Sequence, residues 1–276
     1  MTGEFFERLL KRQQLLQTHL CIGLDPDLSR IPEHLRSESD VIFRFNRAIV
    51  DATHDLVCCY KPQNAHFTGI GAEGQLEATI RYIQGLDVPV LLDSKRGDVE
   101  STSEHYAREA FERYGADAVT VNPYMGHDAM QPFLGYADRG VFILCRTSNP
   151  GGADLQHLKL ETGETLYQHV ARLAADSWNT HGNVGLVVGA TRPEELAAVR
   201  DVCGNLPFLL PGVGAQGGDI ESAVLSAEGG PIIMSASRSV LYASSGIDFD
   251  QAARVVAHET RLAINIAMPG LNGKRP

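Results

Sequence analysis

Four charged residues crowd into six positions of the stretch LLDSKRGDVEST (91–102): Asp93, Lys95, Arg96 and Asp98. An apolar lead-in from Val88 to Leu92 reads as a buried strand. Residues two apart on a strand share a face, so Asp93 and Lys95 are expected to point together at that strand's end. Lys61 closes the preceding apolar run, LVCCYK (56–61), and comes within reach from a neighbouring strand. Charges this close in a half-buried setting are unfavourable unless each has a partner. Such clusters mark functional sites more often than structural ones; the alternative is an ion pair that only fixes the strand ends. Asp98 falls just before a helix expected to start near Ser101, and its residue type and place suit a helix N-terminus.

The elements that must position these groups recur along the chain. Eight short apolar runs, LCIGL (20–24), LVCCYK (56–61), VPVLL (88–92), DAVTV (117–121), VFILC (141–145), VGLVV (184–188), PFLLP (207–211) and PIIMS (231–235), lack clean alternation. That pattern fits parallel strands covered on both faces. Amphipathic segments lie between them, among them STSEHYAREAFERYG, with Ser101 and Glu104 at capping-box spacing and Gly115 as a stop. Eight such units over 276 residues predict an α/β fold, a (β/α)8 TIM barrel in one domain spanning 1–276, preceded by an N-terminal helix. An open doubly wound sheet is the alternative. The widest gap, 146–183, holds TSNPGGADL; its 149–165 portion is a candidate active-site lid, or a plain surface insertion.

In a barrel of this kind the chemistry sits at the C-terminal strand ends. Asp25 follows the first run, and the seventh and eighth lead into PGVGAQGG (211–218) and SASRS (235–239). A glycine-rich turn opening a helix presents backbone N–H groups to an anion, and Arg238 offers a bidentate partner for phosphate oxygens. Gly212–Gly217 also satisfies G-x-G-x-x-G, but the next strand ends without the acidic residue that a dinucleotide ribose requires. A nicotinamide cofactor is therefore not expected.

Composition narrows the class. A formal charge of −10 argues against nucleic acid as a partner. The N-terminus lacks the apolar core of a signal peptide, and no apolar run approaches the length of a membrane span. The five cysteines show no C-x-x-C spacing, which together with the rest predicts a reduced, cytoplasmic protein without a metal cluster.

Taken in order, Lys61, LLDSKRGDVEST, TSNPGG and PGVGAQGG…SASRSVLYAS closely resemble the orotidine 5′-phosphate decarboxylase family, in its longer bacterial branch. The core pattern D-x-K-x-x-D appears as Asp93, Lys95 and Asp98, followed by Val99 and Thr102. A related, Mg²⁺-dependent group of sugar-phosphate decarboxylases and aldolases shares that pattern but lacks a match to Lys61; with Gln216, this lysine tips the choice. The resemblance implies decarboxylation of orotidine 5′-monophosphate to uridine 5′-monophosphate, with no cofactor and no metal. It implies a charged network of Lys61, Asp93, Lys95 and Asp98, with Lys95 as proton donor. It further implies ribose contact by Asp25, pyrimidine contact by Ser148, and phosphate contact by Gln216 and Arg238, with Ser237 beside the arginine where many members carry glycine. Asp98 and Thr102 would enter the partner's site of a homodimer, an implication preferred here over helix capping for Asp98. A catalytically silent barrel that binds a nucleotide is the non-enzymatic alternative; a pure binder has no need to hold Lys95 beside Asp93.

Overall fold

The computed structural model describes residues 3–212 and 219–268. These residues form eight strands: β1 (Leu20–Leu24), β2 (Cys59–Pro62), β3 (Leu91–Arg96), β4 (Ala118–Val121), β5 (Gly140–Arg146), β6 (Val184–Val188), β7 (Phe208–Pro211) and β8 (Ile232–Ala236). Each is followed by a helix: α2 (Val41–Thr53), α3 (Glu73–Gln84), α4 (Glu100–Arg108), α5 (His127–Leu134), α6 (Leu166–Leu173), α7 (Pro193–Cys203), α8 (Ile220–Ser226) and α9 (Phe249–Ala267), with α1 (Glu4–Leu16) ahead of β1. All ladders are parallel, in the order β2-β1-β8-β7-β6-β5-β4-β3. The two ends of that order meet through the bridges Tyr60–Val90 and Gln63–Asp93, which close the sheet into the expected (β/α)8 barrel rather than an open doubly wound sheet.

One buried side chain from each strand packs in the barrel interior: Cys21, Cys59, Leu91, Ala118, Phe142, Val187, Leu209 and Ile233. Beneath them α1 stops the N-terminal end with Phe5, Phe6 and Leu9, all buried, and Phe5 and Phe6 meet Phe142 edge to face. Gln13 and Arg12 fasten this helix to the carbonyls of Ile232 and Val57. The outward faces of the strands pack against the helix ring in a second, larger core. Burial of this kind contributes roughly 1.5–3 kcal/mol for each large apolar side chain. The barrel therefore has a largely apolar floor, and the buried Lys61 and Asp93 lie toward the opposite end.

Two local expectations need correction. The capping box at Ser101 does not form: α4 begins one residue earlier, at Glu100, with Val99 at the N-cap and no side-chain cap. Strand β3 starts later than the apolar run suggested, at Leu91, and Asp93, Ser94 and Lys95 lie at its end as expected, where the pairing with β4 skips from Leu92 to Arg96. Among the described residues no helix is long and apolar enough to cross a membrane, and all five cysteines are buried and unpaired.

Candidate active site

At the C-terminal end of the barrel, β2 and β3 bring three of the expected residues together. Lys61 Nζ donates to Asp93 Oδ2 at 3.0 Å, and Lys95 Nζ donates to Asp93 Oδ1 at 2.5 Å. Lys61 and Asp93 are almost fully buried, with side chains 7% and 9% exposed, whereas Lys95 is 43% exposed and reaches the opening. Burial alone would drive both buried groups toward neutrality. The opposing charges outweigh it. Lys61 is held well above the ordinary lysine range against its own desolvation, by the Asp93 charge and then that of Asp25. Asp93 is held well below the carboxylate range against its desolvation, by Lys61 and then Lys95. Both are therefore ionised throughout the neutral range.

The Lys95 backbone is not that of a regular strand. Its φ is +49°, in the left-handed region that side chains other than glycine seldom enter, and the β3–β4 register shifts between Leu92 and Arg96. Simple alternation thus does not account for Asp93 and Lys95 sharing a side; a local irregularity does. Thr120 on β4 holds it. The Thr120 hydroxyl donates to Asp93 Oδ1 at 2.8 Å and accepts the Lys95 backbone N–H at 2.9 Å, so a single fully buried group fastens both partners. The sequence reading missed Thr120, although one signal was present: it is the polar residue inside the apolar part of the DAVTV run, after Asp117, and lies two positions from inward-facing Ala118.

The other expected residues divide. Asp25 follows β1 at the same end; its Oδ2 accepts from Ser237 Oγ at 2.5 Å and its backbone carbonyl accepts from Tyr242 Oη at 3.0 Å. Asp25 Oδ1 is buried without a partner among the described residues, an acceptor left over for a hydroxyl. Ser237 thus ties β8 to Asp25 through its side chain. Arg238 is exposed at the start of a short helical turn, Arg238–Leu241, and Ser148 is exposed just after β5. Gln216, with the rest of 213–218, lies outside the described residues. Asp98 caps no helix: it sits one residue before the N-cap, where its Oδ1 accepts the Val99 N–H at 2.8 Å. Within one chain Asp98 makes no ion pair with Lys61 or Lys95, and Thr102 is exposed on the first turn of α4. Arg96 turns the other way, to Glu109 and the Tyr106 ring.

The arrangement can place two ammonium groups, ordered by one carboxylate, against an anion forming at the mouth of a closed barrel. The match to known proteins now decides the lineage. The family described as "Orotidine 5'-phosphate decarboxylase / HUMPS family" matches residues 18–247. The chain belongs to this family. The orotidine 5′-phosphate decarboxylase of Janthinobacterium sp. (strain Marseille) is 55% identical over 266 residues, covering 95% of this chain and 98% of that protein. The enzyme of the same name from Azoarcus sp. (strain BH72) is 56% identical with the same coverage. Among solved structures, Leishmania donovani OMP decarboxylase superposes with a TM-score of 0.80 at 37% identity, covering 95% of this chain and 99% of that one. The family description spans two names, and these relatives carry the decarboxylase name.

Two outcomes test the site's geometry. Thr120→Val removes the shared hydroxyl at nearly constant volume and should lower kcat about 10- to 100-fold, the equivalent of one hydrogen bond to a charged group. Thr120→Ser should stay near wild type; steady-state kinetics that leave Thr120→Val unimpaired would contradict the positioning role. Asp93→Asn leaves Lys61 buried without its counter-charge and should lower unfolding free energy by about 3–5 kcal/mol at neutral pH. Because the folded Asp93 pKa is depressed, its stabilisation is complete above the unfolded value of about 3.9 and is lost as pH falls through the folded value. The stability gap between wild type and Asp93→Asn in urea should therefore narrow below about pH 4. A gap unchanged down to pH 3 or so would refute this linkage.

Proposed function

We propose that this chain removes CO2 from C6 of orotidine 5′-monophosphate to give uridine 5′-monophosphate, the last step of de novo UMP synthesis, with Lys61, Asp93, Lys95 and Asp98 as its charged machinery. The observation that carries this reading is the Lys61–Asp93–Lys95 array, two ammonium groups on one buried carboxylate at the barrel mouth. When the C6–carboxyl bond breaks, its electron pair remains in an in-plane orbital at C6, where no adjacent π system can take it. Stabilisation must come from fixed charges aimed at that carbon in a site shielded from water. The Lys95 ammonium is that group. As CO2 leaves, an N–H of Lys95 breaks and a C6–H bond forms; the neutral amine then regains a proton from solvent. Asp93 keeps Lys95 in place and, beside the departing carboxylate, adds electrostatic pressure for its release. Every one of these roles belongs to the chain's own side chains, with no metal or cofactor in the proposed scheme.

Binding at the far end supplies orientation. The unpartnered Asp25 Oδ1 suits a ribose hydroxyl, Ser148 the pyrimidine edge, and Arg238 with Ser237 and Gln216 the phosphate. Asp98 is half-buried with no ion-pair partner among the described residues, and Thr102 is exposed on the first turn of α4; both features support their entry into a second subunit's site in a homodimer. The five unpaired thiols support a reducing, cytoplasmic setting.

Purified protein should convert orotidine 5′-monophosphate, followed by ultraviolet absorbance, at the same rate with and without EDTA, and Lys95→Ala should lose at least about 10³-fold in kcat. Loss of wild-type turnover in EDTA would overturn the metal-free scheme. Mixing the weak variants Lys95→Ala and Asp98→Asn tests the shared site. Random re-pairing makes half the dimers mixed, each with one intact site of two, so about a quarter of wild-type activity should return. No recovery on re-pairing would remove Asp98 from the partner's site.

A further inference from the structure

Beyond the charged array, a second buried ion pair lies at the mouth, where β5 ends. Arg146, the last residue of that strand, is buried, and a buried guanidinium demands a counter-charge. Glu195, in the first turn of α7, supplies it: Arg146 Nε lies 2.7 Å from Glu195 Oε2, with side chains 4% and 12% exposed. The other face of the guanidinium turns to the segment that follows β5. Arg146 Nη1 donates to Gln156 Oε1 at 3.0 Å and to the Thr147 carbonyl. Gln156 then reaches back across the loop. Its Oε1 accepts the Thr147 N–H at 3.0 Å, and its Nε2 donates to Thr147 Oγ1 at 2.8 Å. His157 Nε2 meets Glu195 Oε1 at 2.9 Å, so the loop's exit is tied to the same carboxylate.

Two glycines show how tightly this is drawn. A Cβ on Gly152 would fall 2.9 Å from Thr147 Oγ1 and 3.0 Å from Arg146 Nη1. A Cβ on Gly189, just past β6, would fall 3.0 Å from Ser148 Cβ and 3.1 Å from Ser148 N. The Ser148 backbone is therefore pressed against Gly189 on one side, while its neighbour Thr147 is gripped by Gln156 on the other. Residues 147–156 close on themselves as a compact loop, and 158–166 form a separate small hairpin, with Leu166 N–H donating to the Leu158 carbonyl at 2.8 Å.

We propose that Arg146, Gln156 and Glu195 form a clasp that positions Ser148 for the pyrimidine, and that they are positioning residues for decarboxylation although none is assigned a contact with substrate. This rests on the reading of Ser148 as a pyrimidine contact. It also divides the 149–165 segment: residues up to Leu155 are held inside the clasp, and the hairpin lies outside it. A misplacement of a contact by about 1 Å can lower turnover by about 100-fold, which sets the size of the effect.

The test is a double-mutant cycle on kcat/KM for orotidine 5′-monophosphate, using Gln156→Ala, Ser148→Ala and the pair. Gln156→Ala should lower kcat/KM about 10- to 100-fold, the double variant should be no worse than Ser148→Ala alone, and Gln156→Glu, which keeps the acceptor for Arg146 and Thr147, should recover most of the loss. Glu195→Gln, which keeps the side chain's shape, gives the same cycle should Gln156→Ala not fold. Additive losses, or a Gln156→Ala enzyme as fast as wild type beside an impaired Ser148→Ala, would overturn the clasp and leave the Ser148 assignment standing. A Ser148→Ala enzyme at wild-type rate would instead remove the Ser148 contact, and the clasp's role with it.

Discussion

The structure turns on one carboxylate that accepts from two ammonium groups and a hydroxyl at once. Asp93 receives Lys61 on one oxygen, and Lys95 and Thr120 on the other, in a setting from which water is largely excluded. Remove that carboxylate and two like charges face each other with nothing to order them. Keep it, and both lysine side chains are held in a fixed place by hydrogen bonds to one carboxylate, the kind of preorganisation that the proposed chemistry requires. The constraint reaches the backbone. Lys95 adopts a left-handed conformation that a lysine avoids in isolation, and the buried Thr120 hydroxyl holds it there.

The barrel supplies the location. Lys61 and Asp93 come from β2 and β3, the pair of strands that close the ring through isolated bridges rather than a continuous ladder. The Asp93 carbonyl still accepts the Asn64 N–H across that seam, which keeps the two strand ends in register at the level of the charges. Below, the inward apolar side chains and the aromatic stopper of α1 form a closely packed apolar floor. The charged groups therefore lie between an apolar floor and an open mouth, where their fields are stronger than in bulk solvent.

Much of this was legible in the sequence because strand and helix periods are physical signals. The eight apolar runs became eight strands, and Asp93, Lys95 and Lys61 met because parallel strands end on one side of a barrel. What escaped detection depended on contacts distant in sequence. Thr120 is an ordinary β-branched strand residue until β3 bends toward it. The capping box at Ser101 failed because Glu100 enters the helix first, itself with a left-handed φ of +48°. Arg146 stands just past the VFILC run, at the head of the 146–183 gap, and nothing in the sequence joins it to Glu195; only the fold shows that they pair. The role of α1 as the barrel's floor was equally hidden, since its apolar residues differ little from those of any amphipathic helix.

The central claim is that Asp93 acts by holding Lys95 at C6. The most direct measurement is exchange of the C6 proton of uridine 5′-monophosphate for deuterium in D2O, followed by proton NMR, in wild type, Lys95→Ala and Asp93→Asn. The product carries no carboxylate for Asp93 to repel, so exchange reports proton transfer by Lys95 alone. The account predicts exchange by the wild type that is lost in Lys95→Ala and also in a folded Asp93→Asn enzyme that still binds the nucleotide. Exchange by Asp93→Asn at the wild-type rate would contradict it and leave Asp93 only its effect on the departing carboxylate.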